Sequence, residues 1–331
     1  MDHANHNAPH VADVIQSALD SAKSLITIAR PTQRESQTIM GGTFSALAVG
    51  APEGTAKSMI ELLTRLETLW SRFLNDSEIS RLNHSEGKVL TVSVETIALV
   101  EALIDGWKST NGVFDPTTLP LTLAHGFNTS RIDESKRTSL PPSAQWPGDV
   151  AGIKIDRTAM TVALPLGTTL DAGGMGKGLA ADMAVAYAMS QGAEGAMVSA
   201  NGDVVVDGAS PDGNSWRIGI EHPLDHESHI AQVRLTKGAV VTSSRSIQAW
   251  EYQGKKQHHL IDVGTGEAAA TEILSATVIA ATGASAEAQA KLPFMMDLEK
   301  AFTLITSLGS EVAAVDEHMM MHTSTGWERY L

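Results

Sequence analysis

"LDAGGMGKGLAADMAVAYAMSQG", residues 170–192, sets Gly173, Gly174, Gly176 and Gly178 between an apolar run and an alanine-rich segment. Together with the upstream "TVALPLGTT" it has the form of a strand, a glycine turn and a helix. The glycines let main chain approach a bulky group closely, and the helix start points free N–H groups and a positive dipole end into the same space. Lys177 adds a cation there, and Asp171 adds a polar group at a strand end, where binding residues often sit. The spacing G-G-x-G-x-G is neither a Walker loop nor a dinucleotide fingerprint. By themselves these residues leave two readings open, an anion cradle that fits a pyrophosphate and a glycine-lined packing turn.

Working outward, residues 11–30 carry apolar positions at helical spacing, which Pro31 ends. "TIMGGTFSALAVGA" (38–51) reads as a strand with a glycine-rich entry, and Ala56 to Leu74 as an amphipathic helix. "VLTVS" is a short strand, and residues 94–112 a helix closed near Gly112. "RIDESKRTSLPPSAQWPG" (131–148) mixes charge, serine and proline and reads as an excursion or internal boundary. "IKIDRTAMTVALP" alternates like a hairpin, and from residue 195 short strands alternate with glycine turns before helix and strand return. This order predicts an α+β or mixed α/β fold, mixed sheets flanked by helices, with residues 1–35 as a helical extension and 36–331 as the main domain.

The chain has 331 residues, 43% of them hydrophobic, enough for a substantial core. A formal net charge of −14 argues against attraction to nucleic acid or to anionic membrane. There is no cysteine, which removes disulfides, thiolate nucleophiles and cysteine metal sites. The N-terminus lacks the basic region and the apolar core, about 7–15 residues long, of a signal peptide. No window approaches the roughly 20 apolar residues that span a bilayer. Cytoplasmic placement without membrane contact is the expectation. Histidines at 3, 6 and 10 fit a tail better than a metal site.

Six blocks become specific in combination: "SRFLNDSEISRLN" (71–83), "GVFDPTTLPL" (112–121), "DAGGMGKGLAAD" (171–182), "SANGD" (199–203), "VVTSS" (240–244) and "HHLIDVGTG" (258–266). In order and spacing they resemble the ApbE family of FAD:protein FMN transferases, from about Met40 to the C-terminus. The resemblance implies cleavage of FAD and transfer of FMN through a phosphoester to a threonine or serine of an acceptor protein. It also implies magnesium at the pyrophosphate. FAD contacts then fall to Met40, Phe73, Ala124, His125, Gly126, Phe127, Asp171, Gly173, Gly174, Lys177 and Ile261. His259 is placed near the chemistry, where its imidazole suits proton transfer. Asp262 either orients that histidine or holds a turn before "GTG".

The family's metal segment, A-D-x-x-[AD]-T, corresponds here to "AEAQAK", residues 286–291. Gly174 (through its carbonyl), Glu287 and Ala290 are the metal positions, while Lys291 stands where threonine is expected. An ammonium there either repels Mg²⁺ or takes its place as a fixed cation. Pro293 interrupts a segment that the family continues as helix. Two readings follow, an active transferase with an altered cation site, or an FAD-binding relative with transfer lost or altered.

Overall fold

The computed structural model describes residues 30–130, 132–245, 249–252 and 254–331, so the helix expected over 11–30 lies almost wholly outside the described residues. Strands β1 (Thr32–Ile39) and β2 (Gly42–Val49) form a hairpin. Next come α1 (Thr55–Trp70), α2 (Glu78–Asn83), β3 (Val89–Thr91), α3 (Val94–Ser109) and α4 (Leu119–Ala124). The middle of the chain gives β4 (Lys154–Asp156), β5 (Thr161–Ala163), α5 (Gly176–Ser190), β6 (Gly195–Ala200) and β7 (Asp203–Gly208). Strands β8 (Trp216–His222), β9 (Asp225–Leu235), β10 (Lys237–Ser244), β11 (Ala249–Tyr252), β12 (Lys255–His258) and β13 (Ile273–Ala280) follow. The chain closes with α6 (Gly283–Gln289), α7 (Leu292–Met295), α8 (Leu298–Ser307), β14 (Glu311–Asp316) and β15 (Met321–Thr323).

Eight strands build the central sheet in the order β1-β2-β6-β7-β10-β13-β14-β15, and every pairing in it is antiparallel. The fold is therefore α+β with helices flanking the sheets, as expected, and the central sheet is built from hairpins and longer antiparallel connections. Period-two alternation divides the sheet's faces. Phe44, Ala46, Ala48, Val198, Val205, Val241 and Val278 face the helices. Leu47, Val49, Val204, Val206, Val240 and Ile279 face the β8–β9 hairpin, with Trp216, Ile218 and Val233 above them. Strands β3, β5 and β4 form a separate small sheet.

Three expectations change. Strand β1 already pairs at Thr32, so residues 32–35 belong to the sheet and not to the N-terminal extension. The glycine-rich entry at 40–42 is a two-residue hairpin turn: Met40 and Gly41 both hold positive φ, 50° and 81°, as a tight antiparallel turn requires. The loop expected as a boundary is stitched inward instead, since buried Thr138 bonds Arg72 across 66 residues.

Helix α1 buries Met59, Ile60, Leu63, Leu66 and Trp70 and packs on the β1–β2 hairpin and on α5. Helix α3 starts at Ser93, whose Oγ accepts from the Thr96 N–H at 3.2 Å. Helix α5 turns Ala180, Ala181, Ala184 and Ala188 inward, and these small side chains let it lie close to the sheet and to α6. At Gly178 a Cβ would come within 2.4 Å of the Gly283 main chain, so this crossing needs glycine on both helices. None of the described helices is long and apolar enough to cross a membrane.

Candidate functional site

The glycine turn is shaped by its own aspartate. Asp171 Oδ1 accepts the Gly173 N–H at 2.8 Å and caps the short 3-10 turn Ala172–Gly174, from which α5 departs. Lys177, in the first turn of α5, does not reach outward as a free phosphate ligand. Its Nζ bonds Asp203 Oδ2 at 2.7 Å and Glu287 Oε1, and the second Glu287 oxygen accepts the Gly178 N–H at 2.7 Å. Burial works against the Lys177 charge, but the two carboxylates outweigh it and raise its pKa well above the lysine range. Burial also raises Asp203, with Lys177 opposing.

A second lysine closes the turn from the other side. Pro293, which lacks an N–H, sits in the first turn of α7 and separates it from α6. Lys291, at this junction, sends Nζ to the Gly174 carbonyl at 2.6 Å and to the Glu287 carbonyl at 2.7 Å. The ammonium lies 5.5 Å from the Phe114 ring centroid. A Cβ on Gly174 would come 3.0 Å from that ring and 3.5 Å from Lys291 Cε, so the bare backbone makes room for phenylalanine and lysine together. Burial pushes the ammonium's pKa down to about 8, with Glu287 the strongest counterweight.

Arg72 joins this polar end to an aromatic one. Its guanidinium lies 3.6 Å from Asp171 Oδ2, 4.3 Å from the Phe73 centroid and 4.8 Å from that of Phe127. It donates to Thr138 Oγ1 at 2.9 Å and to the Phe127 carbonyl at 3.0 Å. Burial lowers its pKa, and Asp171 opposes that. Phe127 meets Phe73 edge to face at 6.2 Å and stacks on Trp250 at 5.1 Å. Trp250 Nε1 donates to the His125 carbonyl at 2.8 Å, and His125 Nε2 lies 3.7 Å from Glu267. Gly126 has φ of 90°, and a Cβ there would strike the Tyr252 ring at 2.4 Å.

The structure thus gathers Phe73, His125, Gly126 and Phe127 around one aromatic cluster, and Asp171, Gly173 and Gly174 on the turn linked to it by Arg72. Ala124 ends α4 just before the cluster. Met40 stands on the β1–β2 turn, where its N–H donates to Glu67 at 2.7 Å. His259 lies half-buried in the bend after β12, and Ile261 bridges to Ala268 in the following loop. Asp262 makes the contacts of a turn aspartate: Oδ1 accepts the Gly264 N–H at 2.7 Å, and its carbonyl accepts that of Gly266 at 2.7 Å.

Sequence reasoning missed Arg72, Phe114 and Trp250. Arg72 and Phe114 lie within blocks quoted above, where only the aromatic at 73 drew notice. Trp250 sits in a strand outside those blocks, and its role depends on folding back over Phe127. Asp203, inside "SANGD", is the further partner of Lys177.

The metal positions were tested by their donors. Both Glu287 carboxylate oxygens and the Gly174 carbonyl are already hydrogen-bonded, and Ala290 has no side-chain donor. Mg²⁺ requires near-octahedral oxygen at about 2.0–2.1 Å, which this set does not offer. No group of three or more His, Asp or Glu suited to a metal occurs among the described residues. A cavity of about 320 Å³ lies on the opposite face of the sheet, lined among others by Asn201, Arg217, His222 and His229, and no expected site residue lines it.

The ApbE family model matches residues 40–315. The FAD:protein FMN transferase of Vibrio cholerae is 27% identical over 301 residues, 88% of each chain. The transferase of that name from Salmonella typhimurium is 28% identical over 333 residues, covering 94% of this chain and 91% of its own. Among solved structures, the ApbE protein of Thermotoga maritima superposes with a TM-score of 0.79 at 24% identity, over 91% of this chain and 99% of that one. The flavin transferase ApbE from Vibrio cholerae gives 0.74 at 23%, over 91% and 100%. At these identities the structures establish the shared fold.

Proposed function

The chain belongs to the ApbE family, and on that premise we propose that it is an FAD:protein FMN transferase. The observation that carries the reading is the Arg72 bridge: a guanidinium between the Phe73–Phe127–Trp250 cluster and the Asp171 glycine turn joins a surface for a planar ring to one for an anion. The aromatic cluster receives the isoalloxazine ring, and the main-chain N–H groups at the start of α5 receive the pyrophosphate.

In the transfer step a threonine or serine Oγ of the acceptor attacks the flavin-side phosphorus. The new O–P bond forms as the bond to the bridging oxygen breaks, AMP leaves, and the hydroxyl proton passes to a base. His259, half-buried in the bend after β12, is the candidate for that base, because an imidazole nitrogen can accept a proton and give it back. Asp262 holds the loop that carries it. The magnesium implied by the resemblance has no fitting donor set, and no step is assigned to it. The acceptor is a cytoplasmic protein on this reading.

Lys291 favours a second reading, an FAD-binding relative without transfer, because an ammonium supplies charge but no Lewis acid. Incubating the protein with FAD and an acceptor bearing a D-x-x-[ST]-G-A-[ST] segment, read by intact mass, separates the two. An FMN increment on the acceptor supports the transferase. Bound FAD without any increment or hydrolysis supports the second reading.

A further inference from the structure

We propose that the Lys291 ammonium is the resident cation of the pyrophosphate site, occupying the position of a divalent metal, so that FAD binds without one. This rests on the reading of the glycine turn as a pyrophosphate cradle. Three independent features of the geometry converge on it.

First, the ammonium holds the oxygen a metal would need. Nζ is 2.6 Å from the Gly174 carbonyl, and a metal bound to that oxygen at about 2.1 Å would meet a positive charge head-on. Second, the only carboxylate among the expected metal positions is spent. Glu287 is buried, with one oxygen on Lys177 and the other on the Gly178 N–H. Turning either oxygen toward a metal would leave buried Lys177 with Asp203 as its one carboxylate, or strand an N–H at a helix start, each costly. Third, the lysine is held in place rather than left to wander. The Glu287 carbonyl at 2.7 Å and the Phe114 ring at 5.5 Å fix its head against the turn.

Two of its three N–H donors go to these carbonyls among the described residues, which leaves a third for an anion laid over Gly173–Gly174. The helix start of α5 supplies the remaining positive field. An ammonium needs no octahedral shell, so Ala290, which offers none of the side-chain oxygens a metal would use, is no defect here.

The test uses the full chain and two readouts that need no catalysis. Binding of Mn²⁺, used as the probe metal, is followed by electron paramagnetic resonance without flavin. FAD affinity is followed by flavin fluorescence, in EDTA and in millimolar Mg²⁺. The proposal expects wild type to bind no Mn²⁺ that Mg²⁺ displaces, and its FAD affinity to be the same in both buffers within about twofold. Lys291→Thr should bind FAD about tenfold more weakly than wild type in both buffers, since Glu287 stays spent on Lys177 and Gly178. Mg²⁺-displaceable Mn²⁺ in wild type, or a wild-type FAD affinity at least about tenfold higher with Mg²⁺, overturns the proposal. The wild-type arms need no variant, so misfolding of Lys291→Thr leaves the test intact. Absence of FAD binding under every condition sinks the transferase reading instead, and the manganese arm then decides alone whether Lys291 holds the cation position.

Discussion

The Lys291 ammonium donates to the Gly174 carbonyl at 2.6 Å, linking residues 117 apart in sequence. The α6–α7 junction is thereby fastened to the glycine turn, and Glu287 fastens α6 to the first turn of α5 through Lys177 and Gly178. Where an anion would lie, these long-range polar contacts hold the backbone together with the turn's own Asp171 cap on Gly173.

Glu287 is the keystone of that fastening. Glu287→Ala leaves Lys177 buried with one carboxylate in place of two and removes the acceptor for the Gly178 N–H. A loss of about 3–5 kcal/mol in unfolding free energy is expected, read as a lower urea midpoint at unchanged slope. A loss below about 1 kcal/mol would show that Asp203 alone holds the lysine.

Gly178 has no room for a methyl. Its added Cβ would sit 2.4 Å from main-chain atoms of Gly283, which cannot swing aside as a side chain would. Gly178→Ala should cost about 2–3 kcal/mol by chemical denaturation, toward the upper end of overpacking costs. A neutral result would mean that α5 and α6 can part without penalty.

Trp250 covers Phe127 and is anchored by its indole N–H on the His125 carbonyl. If this cluster receives the flavin ring, Trp250→Ala should weaken FAD binding by about tenfold, the equivalent of a lost aromatic pair of ~1.4 kcal/mol. Fluorescence titration measures it, and an unchanged affinity would place the ring elsewhere.

Asp182 gives the stability a pH signature. Its carboxylate accepts the Gly283 N–H at 2.7 Å and the Ala284 N–H at 3.0 Å, yet burial raises its pKa from 3.8 to about 6. A raised carboxylate pKa means that the folded state holds the proton more tightly than the unfolded chain. The stabilisation this brings is present below about pH 4 and is lost as pH rises through about 6. Asp182→Asn has no such titration. Its unfolding free energy relative to wild type should therefore rise by about 2 kcal/mol between those pH values. A pH-independent difference would show that Asp182 titrates normally.

Much of the architecture was legible because it is periodic or punctuated. The α1 stripe, the β4–β5 hairpin and the strand series after residue 195 follow from residue spacing that local backbone geometry imposes. The turn at Met40–Gly41 was visible as glycines but not as a hairpin, because its partner strand β1 reads as polar: it lies at the sheet edge and is mostly exposed. Phe73 drew notice because it lies in one of the family blocks, and Phe127 because the resemblance points to residues 124–127. Trp250 was not, since nothing near it in sequence marks a residue that stacks on a ring 123 positions earlier.

The sequence by itself determined the elements, the glycine turn and the presence of a lysine where the family pattern has threonine. It left open where the Lys291 ammonium lies, and whether Lys177 faces a ligand or the interior. Only the tertiary structure decided these, by bringing Asp203 and Glu287 onto Lys177 and Lys291 onto Gly174 across 26, 110 and 117 residues. The physical reason is that periodicity reports only neighbours a few residues apart. The partner of a buried charge is set by the antiparallel sheet order and by how closely small residues let α5 and α6 approach.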